Sequence, residues 1–225
     1  MILCYSGKSA LGAKAIAEEA YDIRPIRRGR GDINWGVANA DTLLNPDISN
    51  STNKRVMREL FESQDVPMPK LFSYGMYGHN IKFPAVGRPD KHMKGRGFWR
   101  INNEQDLQKA LRGTRKKKPA THFMEYIEAP REYRVHIFLG KSIRISEKDH
   151  TAFHEYTTIK PQHNVKHVRK AAKKAVKALG LDFGAVDILA DDERCWVLEC
   201  NSAPGIGGSL PRLYAKKFEQ WFENQ

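Results

Sequence analysis

Residues 183–206 read FGAVDILADDERCWVLECNSAPGI. Two apolar runs, Phe183 to Ala190 and Arg194 to Cys200, flank a polar turn at Asp191, Asp192 and Glu193. That is the pattern of a β-hairpin. Asn201 to Gly205 then stops the second strand. Asp187 interrupts the first run, and Glu199 lies near the end of the second. With 191–193 as the turn, Asp187 faces Val197, and side-chain alternation puts Glu199 and Asn201 on the same face at a diagonal. Two carboxylates and an amide oxygen form an oxygen-rich cluster. It suits a hard cation, Mg²⁺ above all, when a nucleotide supplies the remaining ligands. The competing reading is a pair of solvated acids on an exposed strand face, and a turn one residue longer scrambles the parity.

The 225 residues suffice for one large domain or two small ones. The formal net charge of +12 points to acidic partners: phosphates, nucleic acid or an acidic polypeptide. No apolar run approaches the roughly 20 residues that span a bilayer. The start, MILCYSGKSALG, is too short and mixed for a secretory signal. Cys4, Cys195 and Cys200 lack CxxC spacing and read as reduced, mostly buried thiols of a cytoplasmic protein.

Along the chain, residues 1–50 look like a small α/β unit. It has a strand at Ile2 to Tyr5, a helix at Ala10 to Ala20, a strand at Tyr21 to Ile26 and the basic turn Arg27 to Gly31. Ser6-Gly7-Lys8-Ser9 imitates the end of a phosphate-binding P-loop. The full pattern needs a glycine where Ile2 stands, so the match is a decoy. Thr52 to Ser63 reads as a helix capped by Ser51 or Thr52, with Val56, Leu60 and Phe61 inward. Further strands are expected at Lys82 to Val86, His122 to Ile127, Arg134 to Phe138 and Lys141 to Ile145. Helices are expected at Asn103 to Leu111, Asn164 to Leu179 and Leu210 to Phe222. Gly180 stops the 164–179 helix. The final helix turns Leu210, Leu213, Tyr214, Phe218, Trp221 and Phe222 inward.

Phosphate needs cations and backbone amides. Arg88 ends the run Phe83 to Val86 and suits bidentate bonds to phosphate. The loop His92-Met93-Lys94-Gly95-Arg96-Gly97 combines cations with glycines whose N–H groups close over an anion. Glu125-Tyr126-Ile127-Glu128 is a strand end whose backbone suits an adenine edge, with an acid for ribose hydroxyls. Glu132, Arg134 and Lys148 lie on neighbouring strands. Each feature taken singly has an ordinary reading, as a basic loop, a strand end or a surface ion pair.

In this order the pieces resemble the ATP-grasp superfamily of carboxylate–amine ligases, over roughly residues 52–222. FPAVGRP resembles the strand carrying the first phosphate-binding cation, and HMKGRG the loop over the phosphates. MEYIEAPREYRVHIF resembles the adenine hinge and the acid-x-Arg strand that follows. GAVDIL and LECNSAPGI resemble the two metal-ligand strands. The nearest likeness is to small members, phage-encoded ones among them, of the ribosomal-protein glutamate ligase type. Two departures are Arg88, where lysine is more usual, and Met124, where a hydrogen-bonding residue is expected.

The resemblance implies an α+β, α/β ATP-grasp fold with two lobes and ATP between them. A short α/β unit, 1–50, precedes the ATP-grasp domain, 51–225, whose smaller lobe covers about 65–124 and larger lobe about 125–225. It implies ATP and Mg²⁺ as cofactors, with Mn²⁺ as an alternative, and ADP-forming ligation through an acylphosphate. Asp187, Glu199 and Asn201 become metal ligands. Arg88, Lys94, Gly95, Gly97, Glu125, Tyr126, Ile127 and Glu132 contact the nucleotide, and Arg134 and Lys148 are catalytic. Partners would be ATP, a carboxylate and an amine, the substrate an amino acid, peptide or protein, with homodimers usual in related ligases. A second class of reading is a basic nucleic-acid-binding or -modifying protein, using Lys116 to Lys118 and the lysines of the 164–179 helix. A third is a kinase on the same fold.

Overall fold

A computed structural model of the chain describes residues 1–38, 40–75, 78–89, 97–129, 131–148, 156–158 and 164–225, without the side chains of 156–158. The chain opens with β1 (Ile2–Tyr5), α1 (Ala10–Glu18), β2 (Arg24–Arg27), β3 (Arg30–Trp35) and β4 (Asp41–Leu44). These strands form a fully parallel sheet in the order β2-β1-β3-β4. The turn through Arg28 and Gly29, both at positive φ, carries the chain back across β1. Gly31 lies at that crossing: a Cβ there would sit 2.8 Å from Cys4 Sγ and 2.9 Å from the Ile2 carbonyl oxygen. β3 and β4 were not anticipated, and β2 starts later than the Tyr21 expected for it.

A single turn, α2 (Ser49–Thr52), leads into α3 (Lys54–Ser63). The cap of α3 is Asn53, whose Oδ1 accepts from Arg55 N at 3.1 Å and Val56 N at 3.4 Å, in place of the expected Ser51 or Thr52. Its inward face is Met57, Arg58 and Phe61; Val56 and Leu60 are only half-buried.

Two compact units result: Met1–Pro67 with Pro130–Gln225, and Met68–Ala129. The second holds β5 (Leu71–Phe72), β6 (Tyr74–Gly75), β7 (Gly78–His79), β8 (Ala85–Arg88), β9 (Trp99–Ile101), α4 (Glu104–Arg112) and β10 (His122–Glu125). Its main sheet is antiparallel in the order β5-β10-β8-β9. Asn103 caps α4 through Asp106 N at 3.0 Å, and Leu107 and Ala110 pack with Ala85, Ile101 and Phe123.

The first unit continues with β11 (Arg131–Phe138), β12 (Lys141–Lys148), β13 (Tyr156–Thr158), α5 (Lys166–Ala178), β14 (Phe183–Ala190), β15 (Cys195–Asn201) and α6 (Leu210–Phe222). The five strands make an antiparallel sheet, β13-β12-β11-β14-β15. Val165, Val168, Ala172, Val176 and Leu179 are buried as a set along α5 and its ends. On α6, Tyr214 and Phe218 are buried, but Phe222 is exposed because the helix end runs past the core. Leu3, Ile16, Ile33 and Trp35 share one core with Phe138, Phe183, Tyr214 and Phe218. Trp35 stacks on Phe183, ring centroids 5.5 Å apart, and meets Tyr214 edge-on at 5.1 Å. Thus the first 50 residues share their principal core with the second half of the chain. Among the described residues no helix is long and apolar enough to cross a membrane.

Candidate active site

The hairpin forms as expected, with one change of register. Asp187 lies directly opposite Glu199, and Ile188 opposite Val197, so Leu198 is an extra residue in β15. This β-bulge corrects the expected Asp187–Val197 pairing. It also sets the two acids directly opposite each other across the strands instead of at a diagonal. Asn201 pairs with Ala185, two residues from Asp187, and so joins the same face. Asp191 closes the turn, its Oδ1 accepting from Glu193 N at 2.9 Å and Arg194 N at 2.6 Å. Those bonds hold its carboxyl below the usual range.

Cations meet this face from two elements. Arg134 lies opposite Asp187 on β11 and donates in bidentate fashion, Nε to Oδ1 at 2.7 Å and Nη2 to Oδ2 at 2.8 Å. Lys54, in the first turn of α3, sets its Nζ 2.8 Å from Glu199 Oε2. Asn201 Nδ2 donates to Glu199 Oε1 at 3.2 Å. Asp187 is 6% exposed; burial pushes its carboxyl up, the Arg134 guanidinium pulls it back, and Glu199 adds a smaller upward push. Lys54 was not among the expected site residues. Its only trace is a cation one position inside a capped helix, and its partner lies 145 residues away.

The donor chemistry fits a divalent hard cation. Two carboxylates and an amide oxygen on one face are the hard oxygen donors that Mg²⁺ takes from protein when phosphates complete its shell, and here Arg134 and Lys54 hold the two acids in ion pairs. Among the described residues no three His, Cys, Asp or Glu side chains converge on one point. Lys148 Nζ pairs with Glu132 Oε2 at 2.7 Å, which places both beside Arg134 on the same sheet.

Deeper on this face, His136 pairs with Ala185 on β14, and Tyr214 Oη lies 2.9 Å from its Nδ1. The ring is 1% exposed. Burial, then the nearby Arg134 and Arg144, lowers its pKa to about 3, so the imidazole is neutral.

The other expected contacts fall in the second compact unit. Arg88 ends β8 with its guanidinium carbon 5.5 Å from the Phe98 ring centroid. Gly97 holds a φ of +86° against Pro89; Lys94 and Gly95 lie outside the described residues. In the expected hinge, Glu125 N donates to the Lys70 carbonyl at 2.8 Å and Tyr126 N to the Pro84 carbonyl at 3.2 Å. Those two donors are therefore committed internally. Arg100 lies over the Tyr126 ring at 4.3 Å, and Ile127 is half-buried just past β10.

No protein-family model matches the chain, and no curated protein matches it. Solved structures do. D-alanine–D-alanine ligase from Bacillus anthracis superposes with a TM-score of 0.69 at 16% identity, over 99% of this chain and 95% of that one. The ATP-grasp ligase PsnB, in complex with precursor peptide PsnA2 and AMPPNP, gives 0.67 at 12% identity, over 100% and 97%. A RimK domain ATP-grasp protein from Sphaerobacter thermophilus DSM 20745 gives 0.62 at 12%, over 96% and 98%. The chain has the ATP-grasp fold. At these identities the likeness defines the architecture alone.

Proposed function

We propose that the chain is an ATP- and Mg²⁺-dependent, ADP-forming ligase joining a carboxylate to an amine through an acylphosphate. Its substrate class is amino acids, peptides or proteins, as in small ligases of the ribosomal-protein glutamate ligase type. The observation that carries this reading is the cross-strand Asp187–Glu199 pair with Asn201 beside it, on the central sheet of an ATP-grasp fold. The neighbours named above include a ligase solved with AMPPNP and a peptide, which supports the nucleotide and the substrate class.

Asp187, Glu199 and Asn201 would hold Mg²⁺, which when bound supplies charge neutralisation for phosphoryl transfer. Lys54 pairs with Glu199 and Arg134 with Asp187, which aims the two carboxylates at one face. Arg134, with Lys148 near it, offers positive charge to a substrate carboxylate and to the acylphosphate oxygens. Arg88 and Lys94 would neutralise the phosphate tail and Gly95 and Gly97 close over it. With the N–H groups of Glu125 and Tyr126 committed to Lys70 and Pro84, the backbone of Ile127 would meet the adenine edge beside them, and Glu132 would serve the ribose. Attack by the carboxylate oxygen on the γ-phosphorus releases ADP. Attack by the amine on the acyl carbon then releases inorganic phosphate and forms the amide. Positioning and charge suffice, so no nucleophilic side chain is required.

The test is incubation of the purified chain with ATP, Mg²⁺ and a pool of amino acids and peptides. ADP, inorganic phosphate and a new amide mass are expected together. A phosphorylated product would establish a kinase instead. Asp187→Asn and Glu199→Gln should each lower Mg²⁺-dependent ADP release by about a hundredfold or more, because each removes an anionic oxygen donor that would hold Mg²⁺. Full turnover in both variants would refute the metal assignment.

A further inference from the structure

The carboxyl edge of the N-terminal sheet carries cations that the reaction above does not use. Because β1 to β4 are all parallel, their carboxyl ends open on one edge, where open α/β sheets bind ligands. Ser6 to Ser9 follows β1 there, Arg27 and Arg28 end β2, and Gly36 follows β3. Ser9 Oγ ties two of these loops by donating to the Trp35 carbonyl at 2.5 Å. Arg28 N donates to the Tyr5 carbonyl at 3.1 Å while Arg28 holds a φ of +66°. Arg27 reaches the Ser6–Ser9 loop: a Cβ on Gly7 would lie 3.6 Å from Arg27 Nη2.

Lys8, Arg27 and Arg28 are all exposed. Arg30, Arg55 and Arg194, exposed elsewhere, pair with Asp41, Glu59 and Asp191, whereas Arg24, Arg112, Arg115 and Arg212 are exposed without an ion pair among the described residues. Among the described residues, none of Lys8, Arg27 and Arg28 has a carboxylate partner. The edge also adjoins the metal-ligand strand within the same compact unit. A Cβ on Gly36 would meet Ala203 Cβ at 2.8 Å, and one on Gly12 would lie 3.5 Å from Ile206 Cγ1. Ala203 is two residues past Asn201, and Ser202 Oγ is held by Ser51 Oγ at 3.1 Å. A chain lying on this edge therefore ends beside the proposed reaction centre.

We propose that Lys8, Arg27 and Arg28 form an anion-binding edge that recognises the carboxylates of an acidic peptide substrate and delivers it to the 202–206 loop. The inference rests on the ligase reading for its purpose, though its binding needs no nucleotide. Cations spread over two open loops suit several carboxylates along an extended chain. Nucleic acid fits less well: it calls for exposed rings on which bases stack. The rings at this edge are Trp35, which is buried, and Tyr5, which is half-buried.

The probe is a fluorescein-labelled glutamate hexapeptide, followed by anisotropy at low salt without nucleotide. Binding is expected, weakening as salt is raised. Lys8→Ala/Arg27→Ala should weaken it about tenfold, the sum of two exposed ion pairs. Adding Arg28→Gly, which removes the charge where φ already favours glycine, should weaken it further. Lys170→Ala/Lys173→Ala, on the exposed face of α5, should leave it unchanged. Equal loss in both double variants, no binding by the unaltered protein, or tighter binding of a labelled thymidine oligonucleotide of equal charge would overturn the proposal. Calorimetry with AMPPNP and Mg²⁺ separates the two readings. Peptide binding without nucleotide binding removes the ligase and keeps the edge. Nucleotide binding without peptide binding does the reverse.

Discussion

At the scale of single residues, His136 sets a titration that stability should report. Its neutral ring is held by burial and by Tyr214, with a pKa lowered to about 3. The unfolded chain takes up a proton near the ordinary value of 6.5, and the folded chain does not. Stability attached to this residue is therefore fully present above that value and is lost as pH falls from 6.5 toward 3. His136→Gln keeps a partner for Tyr214 and cannot titrate. The advantage of the unaltered protein over this variant should shrink by about 1.4 kcal/mol per pH unit through that window. Urea unfolding of the pair at several pH values measures it, and a constant difference would refute it. Cys4 and Cys200 are buried thiols with pKa pushed up by that burial. Both should resist a disulfide reagent in the native protein and react once it is unfolded.

At the scale of elements, long periodic segments were readable and short or irregular ones were not. The 210–222 helix and the two hairpin strands were found nearly at their true bounds, because their apolar spacing persists over several turns or alternations. The face shared by Asp187, Glu199 and Asn201 was also readable. The bulge at Leu198 was not: one extra residue leaves no trace in hydropathy. β3 and β4 escaped because Asp32, Asn34 and Asp41 dilute their apolar content. Asn34 and Asn45 explain what those polar residues do. Asn34 Nδ2 donates to the Asn45 carbonyl at 2.9 Å. Asn45, buried at a φ of +52°, then clamps the start of β14. Its Oδ1 accepts from Asp182 N at 2.7 Å and Phe183 N at 3.2 Å, and its Nδ2 donates to the Phe183 carbonyl at 3.0 Å. Asn45→Ala should cost about 3 kcal/mol, since it orphans buried backbone groups and leaves a side chain less suited to that φ. Chemical denaturation would show the loss.

At the scale of the whole molecule, the common core makes residues 1–50 inseparable from the sheet that carries the acids. Removing them would expose Phe138, Phe183, Tyr214 and Phe218 together. The truncated chain is expected to aggregate or to lose near-UV circular dichroism. A soluble, cooperatively unfolding fragment 51–225 would contradict this. The expectation of a short α/β unit over 1–50 followed from its own strand-helix-strand pattern, which says nothing of what its apolar face covers. The partners in that core lie more than a hundred residues on, beyond any local periodicity.

The Asn45 clamp also bears on how such a chain changes its preferences over time. A recombination event joining a foreign N-terminal segment at residue 50 would have to bring a matching clamp and a matching aromatic stack. Wholesale exchange of this segment is therefore closed to drift. The Ser6–Ser9 and Arg27–Gly29 loops bear little of that burden. They offer a place where the surface can diversify while the sheet that carries Asp187 and Glu199 stays as it is.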